Sequence, residues 1–91
     1  DQPMESHRGA FYLRLMVVDE SGVLAKVSEL LRDEDVSIET VLQRGRDPGE
    51  TVPLILVTHE AEKTSMARVR AKLRSMAEVM EDPALIRIEP L

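Results

Sequence analysis

The chain has 91 residues, 43% of them hydrophobic, and a formal net charge of −5 at pH 7. This length suits a single small domain with one core, and the negative charge argues against nucleic acid as the main partner. The chain contains no cysteine, which excludes disulfides, thiolate metal sites and a cysteine nucleophile. Its two histidines lie in unrelated segments, so we expect no metal site.

No apolar run approaches the roughly 20 residues that cross a bilayer, and no signal peptide is visible, so we expect a soluble, cytoplasmic domain. The first residue is Asp1 rather than methionine, and the residues up to Gly9 are polar and without periodicity. Such a composition is typical of a linker. We therefore expect a segment of a longer protein, with a linker over residues 1–10 and one domain over residues 11–91. The alternative is a small protein that has been processed or tagged.

The first half of the domain is predicted to form a strand and a helix. Phe11–Val18 is rich in β-branched, aromatic and long apolar residues, which favours a strand. Residues 22–33 carry apolar side chains at helical spacing, which predicts helix one. The candidate caps of this helix are Asp19, Glu20 and Ser21. The acidic segment 33–35 opposes the helix dipole and is expected to end the helix.

The second half is predicted to contain three strands and a helix. Strand two covers residues 36–44, strand three residues 52–59, helix two residues 64–79 and strand four residues 85–89, and residues 45–50 form a turn by composition. Alternation on strand two predicts one face with Val36, Ile38, Thr40 and Leu42, and another with Ser37, Glu39, Val41 and Gln43. The order βαββαβ implies an α+β ferredoxin-like sandwich, a four-stranded antiparallel sheet with two helices on one face.

Strand one is apolar on both faces apart from Arg14, and residues 54–57 of strand three repeat this pattern. The two helices can cover only one face, so the other would be an unusually large exposed apolar patch. We therefore expect this patch to be covered by another domain or by a second subunit, in a homodimer formed through the sheet edge or the open face.

The junction between strand one and helix one has the local geometry of a pocket for a small anion or an amino-acid carboxylate. Gly22 permits a tight turn, and the N–H groups of Val23 and Leu24 lie at the positive end of the helix dipole. Asp19 can accept an ammonium group, and Gln43 can hydrogen bond to a side-chain hydroxyl. The alternatives are a plain tight turn at the glycine, a helix cap at the aspartate and a solvent-facing polar strand at the glutamine.

These residues also resemble the ACT domain, a small amino-acid-sensing module of biosynthetic enzymes. Asp19, Gly22, Val23 and Leu24 match the family's turn, whereas Ser21 stands where the family commonly has proline. The family's second strand motif appears as Val36-Ser-Ile-Glu39.

Three further segments make the chain most similar to the C-terminal ACT domains of bacterial homoserine dehydrogenases. They are Tyr12–Leu15, Val41–Gln43 and Val52–His59. The resemblance implies an upstream catalytic region that reduces aspartate semialdehyde to homoserine with NAD(P)H, whereas this chain would hold neither catalytic residues nor a cofactor. It implies threonine as a feedback effector of aspartate-family amino-acid biosynthesis, bound at the turn and at Gln43.

Other functions remain in competition. An assembly module would share the fold and the dimer contacts but bind no ligand. RNA-recognition motifs have the same element order, but strand three lacks aromatic residues and the chain is acidic. A phosphate-binding hydrolase such as an acylphosphatase is disfavoured because Asp19 and Glu20 would repel phosphate.

Isolated charged residues are interpreted as structural. His59 stands alone at the end of strand three and is expected to be a structural or interface residue. Helix two is basic, with Arg68 and Lys72 on one side of its apolar stripe and Arg70 and Arg74 on the other. Such side chains usually cover the edge of a core with their aliphatic stems.

Overall fold

The computed structural model describes residues 8–43 and 45–89 of the chain. Over these residues the order of elements is the expected one, with a short strand added before helix two. The elements are β1 (Arg8–Val18), α1 (Val23–Asp33), β2 (Ile38–Gln43), β3 (Thr51–Thr58), β4 (Ala61–Glu62), α2 (Lys63–Arg74) and β5 (Ala84–Ile88). β1 begins at Arg8 rather than Phe11, so the linker predicted over residues 1–10 is wrong at residues 8–10, which pair with other strands of the sheet. Residues 1–7 of that predicted linker lie outside the described residues.

The strands form one antiparallel sheet in which β2, β3, β1 and β5 lie side by side in that order. β1 is central and pairs with β3 over Tyr12–Val18 and with β5 over Ala10–Arg14. β4 pairs with the start of β1, and its two residues are too few for an alternating pattern to reveal them. The predicted α+β ferredoxin-like sandwich is confirmed.

The core lies between the sheet and the two helices. Leu13 and Leu15 of β1 pair in register with Leu56 and Leu54 of β3, and all four side chains are fully buried. The buried residues of the helices are Val23, Val27 and Leu31 of α1, and Met66, Val69 and Leu73 of α2. Burying each side chain of this size contributes about 1.5–3 kcal/mol, so this face is the source of the fold's stability.

Helix α1 ends at Asp33, within the acidic segment that was predicted to end it, and it closes with a Schellman motif. Asp35 has a positive φ of 63°, and its N–H donates to the carbonyl of Arg32 at 2.9 Å. The N–H of Val36 donates to the carbonyl of Leu31 at 3.0 Å. These bonds satisfy the last carbonyls of the helix and turn Val36 into the core, where it is buried.

Helix α2 is shorter than predicted: it ends at Arg74 and not at Val79. Val79 instead forms a β-bridge with Val17, and the N–H of Met80 donates to the carbonyl of Met16 at 2.8 Å. The apolar residues after the helix continue its spacing, but only Val79 is buried, and its burial comes from the sheet, whereas Met80 is 52% exposed. A local pattern cannot distinguish burial by a sheet from burial by a helix.

The predicted alternation along β2 is wrong at its start because the strand contains a bulge. The pairing with β3 shifts register between Ile38 and Thr40, and an inserted residue reverses which face each following side chain occupies. Ile38 therefore packs against the core, whereas Thr40 and Leu42 lie on the opposite face. Gln43 pairs with the buried Leu54 and so lies on the helix side of the sheet.

The sheet face away from the helices is apolar and open, as its sequence pattern predicted. Its apolar side chains come from four strands: Leu42, Pro53, Ile55, Val57, Tyr12, Met16, Val18, Ile86 and Ile88. Leu42 and Ile86 are 44% and 57% exposed.

Among the described residues, no helix is long and apolar enough to span a bilayer.

Candidate functional site

The turn between β1 and α1 depends on the backbone conformation of Gly22. This residue is the N-cap of α1 and has φ 91° and ψ −14°, a conformation that L-residues rarely adopt. A Cβ built on it would meet no atom within 4 Å. Glycine is thus needed for the positive φ and not for close packing within the chain.

The first N–H groups of α1 are poorly satisfied. The N–H of Val23 makes a long bond of 3.4 Å to the carbonyl of Glu20, and the N–H of Leu24 has no hydrogen-bond partner among the described residues. No side chain caps this helix end, so the predicted capping by Asp19, Glu20 or Ser21 is wrong. Unpaired N–H groups at the positive end of a helix attract an anion.

Asp19 does not cap α1 because its carboxylate faces the loop between β2 and β3. Arg46 Nε donates to Asp19 Oδ1 at 3.1 Å and to Oδ2 at 3.0 Å, and the N–H of Asp47 donates to Oδ2 at 2.6 Å. The Asp19 side chain is 3% exposed, whereas that of Arg46 is 68% exposed. The carboxylate is therefore buried beneath an exposed guanidinium group.

The backbone of Asp19 also holds this loop. Its N–H donates to the carbonyl of Glu50 at 2.8 Å, and its carbonyl accepts from the N–H of Gly49 at 3.0 Å. Asp47 and Glu50 close a turn with a 2.8 Å bond that contains Pro48 and the positive-φ Gly49, as in a type II turn. The predicted turn over residues 45–50 is confirmed, and it is fastened to the end of β1.

These contacts change the acidity of Asp19. The hydrogen bond from Arg46, followed by that from the Asp47 N–H, holds the pKa of the Asp19 carboxyl below its usual value, although burial acts in the opposite direction. The carboxylate is consequently ionised wherever the protein is near neutral pH. Both oxygens of the carboxylate already accept hydrogen bonds, from Arg46 and from the N–H of Asp47.

The remaining predicted site residue, Gln43, is separated from the turn. It pairs with Leu54, which in turn pairs with Leu15, so β3 lies between Gln43 and β1. Gln43 is exposed at the end of β2, directly before the loop that binds Asp19. The turn residues and Gln43 thus flank the same loop without touching one another.

Sequence reasoning missed Arg46. Its position after a Gly and before an Asp-Pro-Gly turn indicates a loop. The carboxylate with which it pairs, that of Asp19, lies 27 residues away in the chain. No local sequence pattern around Asp19, at the end of β1, identifies this arginine as its partner. The only available clue was the presence of a basic residue in a turn that the fold carries back toward Asp19.

The basic side chains of α2 form contacts within the domain. Glu34, at the end of α1, accepts from Arg68 Nε at 2.8 Å and from Lys72 Nζ at 2.5 Å. On the other side, Arg70 Nε donates to the carbonyl of Pro83 at 2.9 Å. The predicted division of these residues between two sides of the helix agrees with their partners.

Comparisons with known proteins agree with the fold and its sequence motifs. The family model of the ACT domain matches residues 11–78. Homoserine dehydrogenase of Helicobacter pylori is 32% identical over 88 residues, which are 97% of this chain and 21% of that protein. The chain therefore spans about a fifth of the length of this relative.

Two solved structures have the same fold. A homoserine dehydrogenase from Thiobacillus denitrificans has a TM-score of 0.83 and 34% identity, covering 97% of this chain and 19% of that one. The ACT domain from GTP pyrophosphokinase of Chlorobium tepidum has a TM-score of 0.70 at 15% identity, covering 87% and 99%, which supports the fold alone. The chain belongs to the ACT domain family.

Proposed function

We propose that this chain is the amino-acid-binding regulatory domain of a homoserine dehydrogenase, with threonine as the effector. The observation that carries the proposal is the turn that joins β1 to α1, where unsatisfied helix N–H groups and a buried carboxylate lie within a few residues of each other. A free amino acid carries one charge of each sign, so both ends of it find a complementary group there.

In the proposed complex, the carboxylate of the effector is bound by the N–H groups of Val23 and Leu24 beyond Gly22. Its ammonium group is bound by Asp19, and Gln43 hydrogen bonds to the threonine hydroxyl. Binding shifts an equilibrium between two arrangements of the whole enzyme, and the size of the shift is limited by the difference in affinity between them.

The catalytic reaction is assigned to a region outside this chain. There, hydride from NAD(P)H would reduce the aldehyde of aspartate semialdehyde to the alcohol of homoserine. This chain has no GxGxxG stretch, and Asp19 and Glu20 at its strand–helix turn would repel a pyrophosphate. The domain would act in the cytoplasm as a sensor joined to the enzyme.

The open sheet face and the exposed edge of β2 fit pairing with a second copy of the domain. Leu42 lies where these two surfaces meet and is 44% exposed. Apolar side chains this exposed on a small domain are typical of an association surface. A homodimer would cover them by extending the sheet or by stacking the two faces.

The direct test is isothermal titration of the full-length dehydrogenase with threonine, followed by serine, isoleucine and methionine. We expect threonine to bind and to inhibit, and Asp19→Ala to abolish both effects. Failure of the intact enzyme to bind any of the four amino acids would contradict the proposal.

The second candidate is a ligand-free assembly module, which is favoured by the pairing of Asp19 with Arg46. In that case the aspartate serves only to hold the loop. Dimerisation would then be independent of every amino acid, and Asp19→Ala would change stability without changing regulation.

A further inference from the structure

The carboxylate proposed to bind the effector's ammonium group is already occupied by a cation. Arg46 Nε contacts both oxygens of Asp19, at 3.1 and 3.0 Å, and the aspartate side chain is only 3% exposed. We propose that Arg46 competes with the effector for Asp19 and thereby sets the affinity of the site. This inference rests on the amino-acid-binding function proposed above.

Of the two donors to Asp19, the guanidinium is the exchangeable one. The N–H of Asp47 belongs to the backbone of a loop that is held by the bonds between Asp19 and residues 49–50. The Arg46 side chain is 68% exposed, so it can swing into water while its charge stays hydrated. Because the Asp19 carboxylate is buried, loss of the guanidinium without a replacement would leave an uncompensated buried charge, so the exchange requires a second cation to take its place.

An ammonium group is a suitable replacement for the guanidinium. It is more compact, carries the same charge and offers three donors in place of the single Nε–H that now serves both oxygens. The Asp47 N–H can keep its bond to Oδ2 during the exchange. The buried carboxylate therefore stays neutralised in both states, as a buried charge requires.

The exchange also links the site to the loop. Released from Asp19, Arg46 no longer fastens the first part of the loop, whereas the bonds of Gly49 and Glu50 to the backbone of Asp19 remain. Effector binding thus releases the Arg46 side chain without undoing the type II turn. Because the effector must displace Arg46, its favourable free energy of binding is reduced by the free energy that the Arg46–Asp19 pair contributes.

The test is titration of the full-length dehydrogenase with threonine, serine, isoleucine and methionine in wild-type and Arg46→Gln forms. Glutamine removes the competing charge and keeps a polar side chain of similar reach, so we expect the effector to bind about two- to tenfold more tightly. Arg46→Lys retains a cation and should stay nearer to wild type. Arg32→Gln is the matched control, because Arg32 is also an exposed arginine and is paired at 3.9 Å with Glu29. The affinity of this variant for the effector should not change.

Unchanged or weaker effector binding in Arg46→Gln, with wild-type binding intact, would overturn the competition and leave the proposed function standing. Equal gains in the Arg46→Gln and Arg32→Gln forms would also overturn it, because the effect would then be general electrostatics. Absence of binding in every form would overturn the proposed function and the competition together.

Discussion

At the scale of single residues, Gly22 and Asp19 determine how the chain passes from β1 into α1. Gly22 supplies the positive φ, and Asp19 binds the β2–β3 loop through both its side chain and its backbone. These residues serve the fold as well as the proposed site. Substitutions at either one therefore need measurements of stability alongside measurements of binding.

We expect Gly22→Ala to destabilise the domain by about 1–2 kcal/mol, the cost of holding a residue with a Cβ at positive φ. No steric clash adds to this figure, since the new Cβ would have no neighbour within 4 Å. Urea denaturation followed by circular dichroism measures the change. Ser21→Ala, at the exposed preceding residue, is the control and should lie close to wild type; an equal loss in both variants would contradict the argument.

Asp19 should make the stability of the domain depend on pH in the acid range. Arg46 and the Asp47 N–H lower the pKa of its carboxyl in the folded state, so the stabilisation is complete above the unfolded value of about 3.9. It is lost as the pH falls through the lower, folded pKa.

Denaturation of wild type and Asp19→Asn between about pH 6 and pH 2.5 tests this sign. We expect the free energy of unfolding to fall more steeply with acid in the wild type. The pKa values of Glu34 and Glu78 are also lowered, by Lys72 and Arg68 and by Lys26 respectively, but they act equally in both proteins and cancel in the difference. Parallel curves would refute the role assigned to Asp19.

At the scale of elements, each helix is held mainly by one buried stripe. In α1 the residues of that stripe contact the sheet at 0–5% exposure, and Leu31 is fully buried. Leu31 also accepts the closing bond of the Schellman motif through its backbone. Charged contacts add to this packing, since Glu34 joins the end of α1 to Arg68 and Lys72 of α2.

Leu31→Ala is expected to cost about 2–5 kcal/mol, because it removes buried methyl groups and leaves a cavity beneath α1. The neighbouring Leu30→Ala is a matched control: Leu30 is only partly buried, so its loss should be clearly smaller. Chemical denaturation of the two variants gives the comparison. Equal losses would mean that the helix is not oriented as described.

At the scale of the whole molecule, the central feature is the sheet with helices on one side only. The open face carries Ile86 at 57% exposure beside its pairing partner Tyr12, and β2 leaves one edge of the sheet unpaired among the described residues. Both surfaces fit the proposed association of two copies.

Ile86→Asp should therefore weaken association of the 91-residue chain while leaving the monomer folded. Burial of an unpaired carboxylate in an apolar interface is costly, so we expect the dimer dissociation constant to rise at least tenfold, which corresponds to about 1.4 kcal/mol. Sedimentation equilibrium measures it. Ala71→Asp, on the exposed surface of α2, is the control, and equal association of both variants would argue against pairing through the open face.

The sequence by itself determined the order of the elements, the core-facing residues of β1 and β3, the end of α1 and the position of the turn at Gly22. These features follow from periodicity and from the conformational preferences of a few neighbouring residues. The tertiary structure alone decided the bulge in β2, the pairing of β4 with β1 and the end of α2, because each depends on which strand lies alongside. It also decided the partner of Asp19: the carboxylate is bound by Arg46, 27 residues away, and only the folded sheet brings that loop to the end of β1.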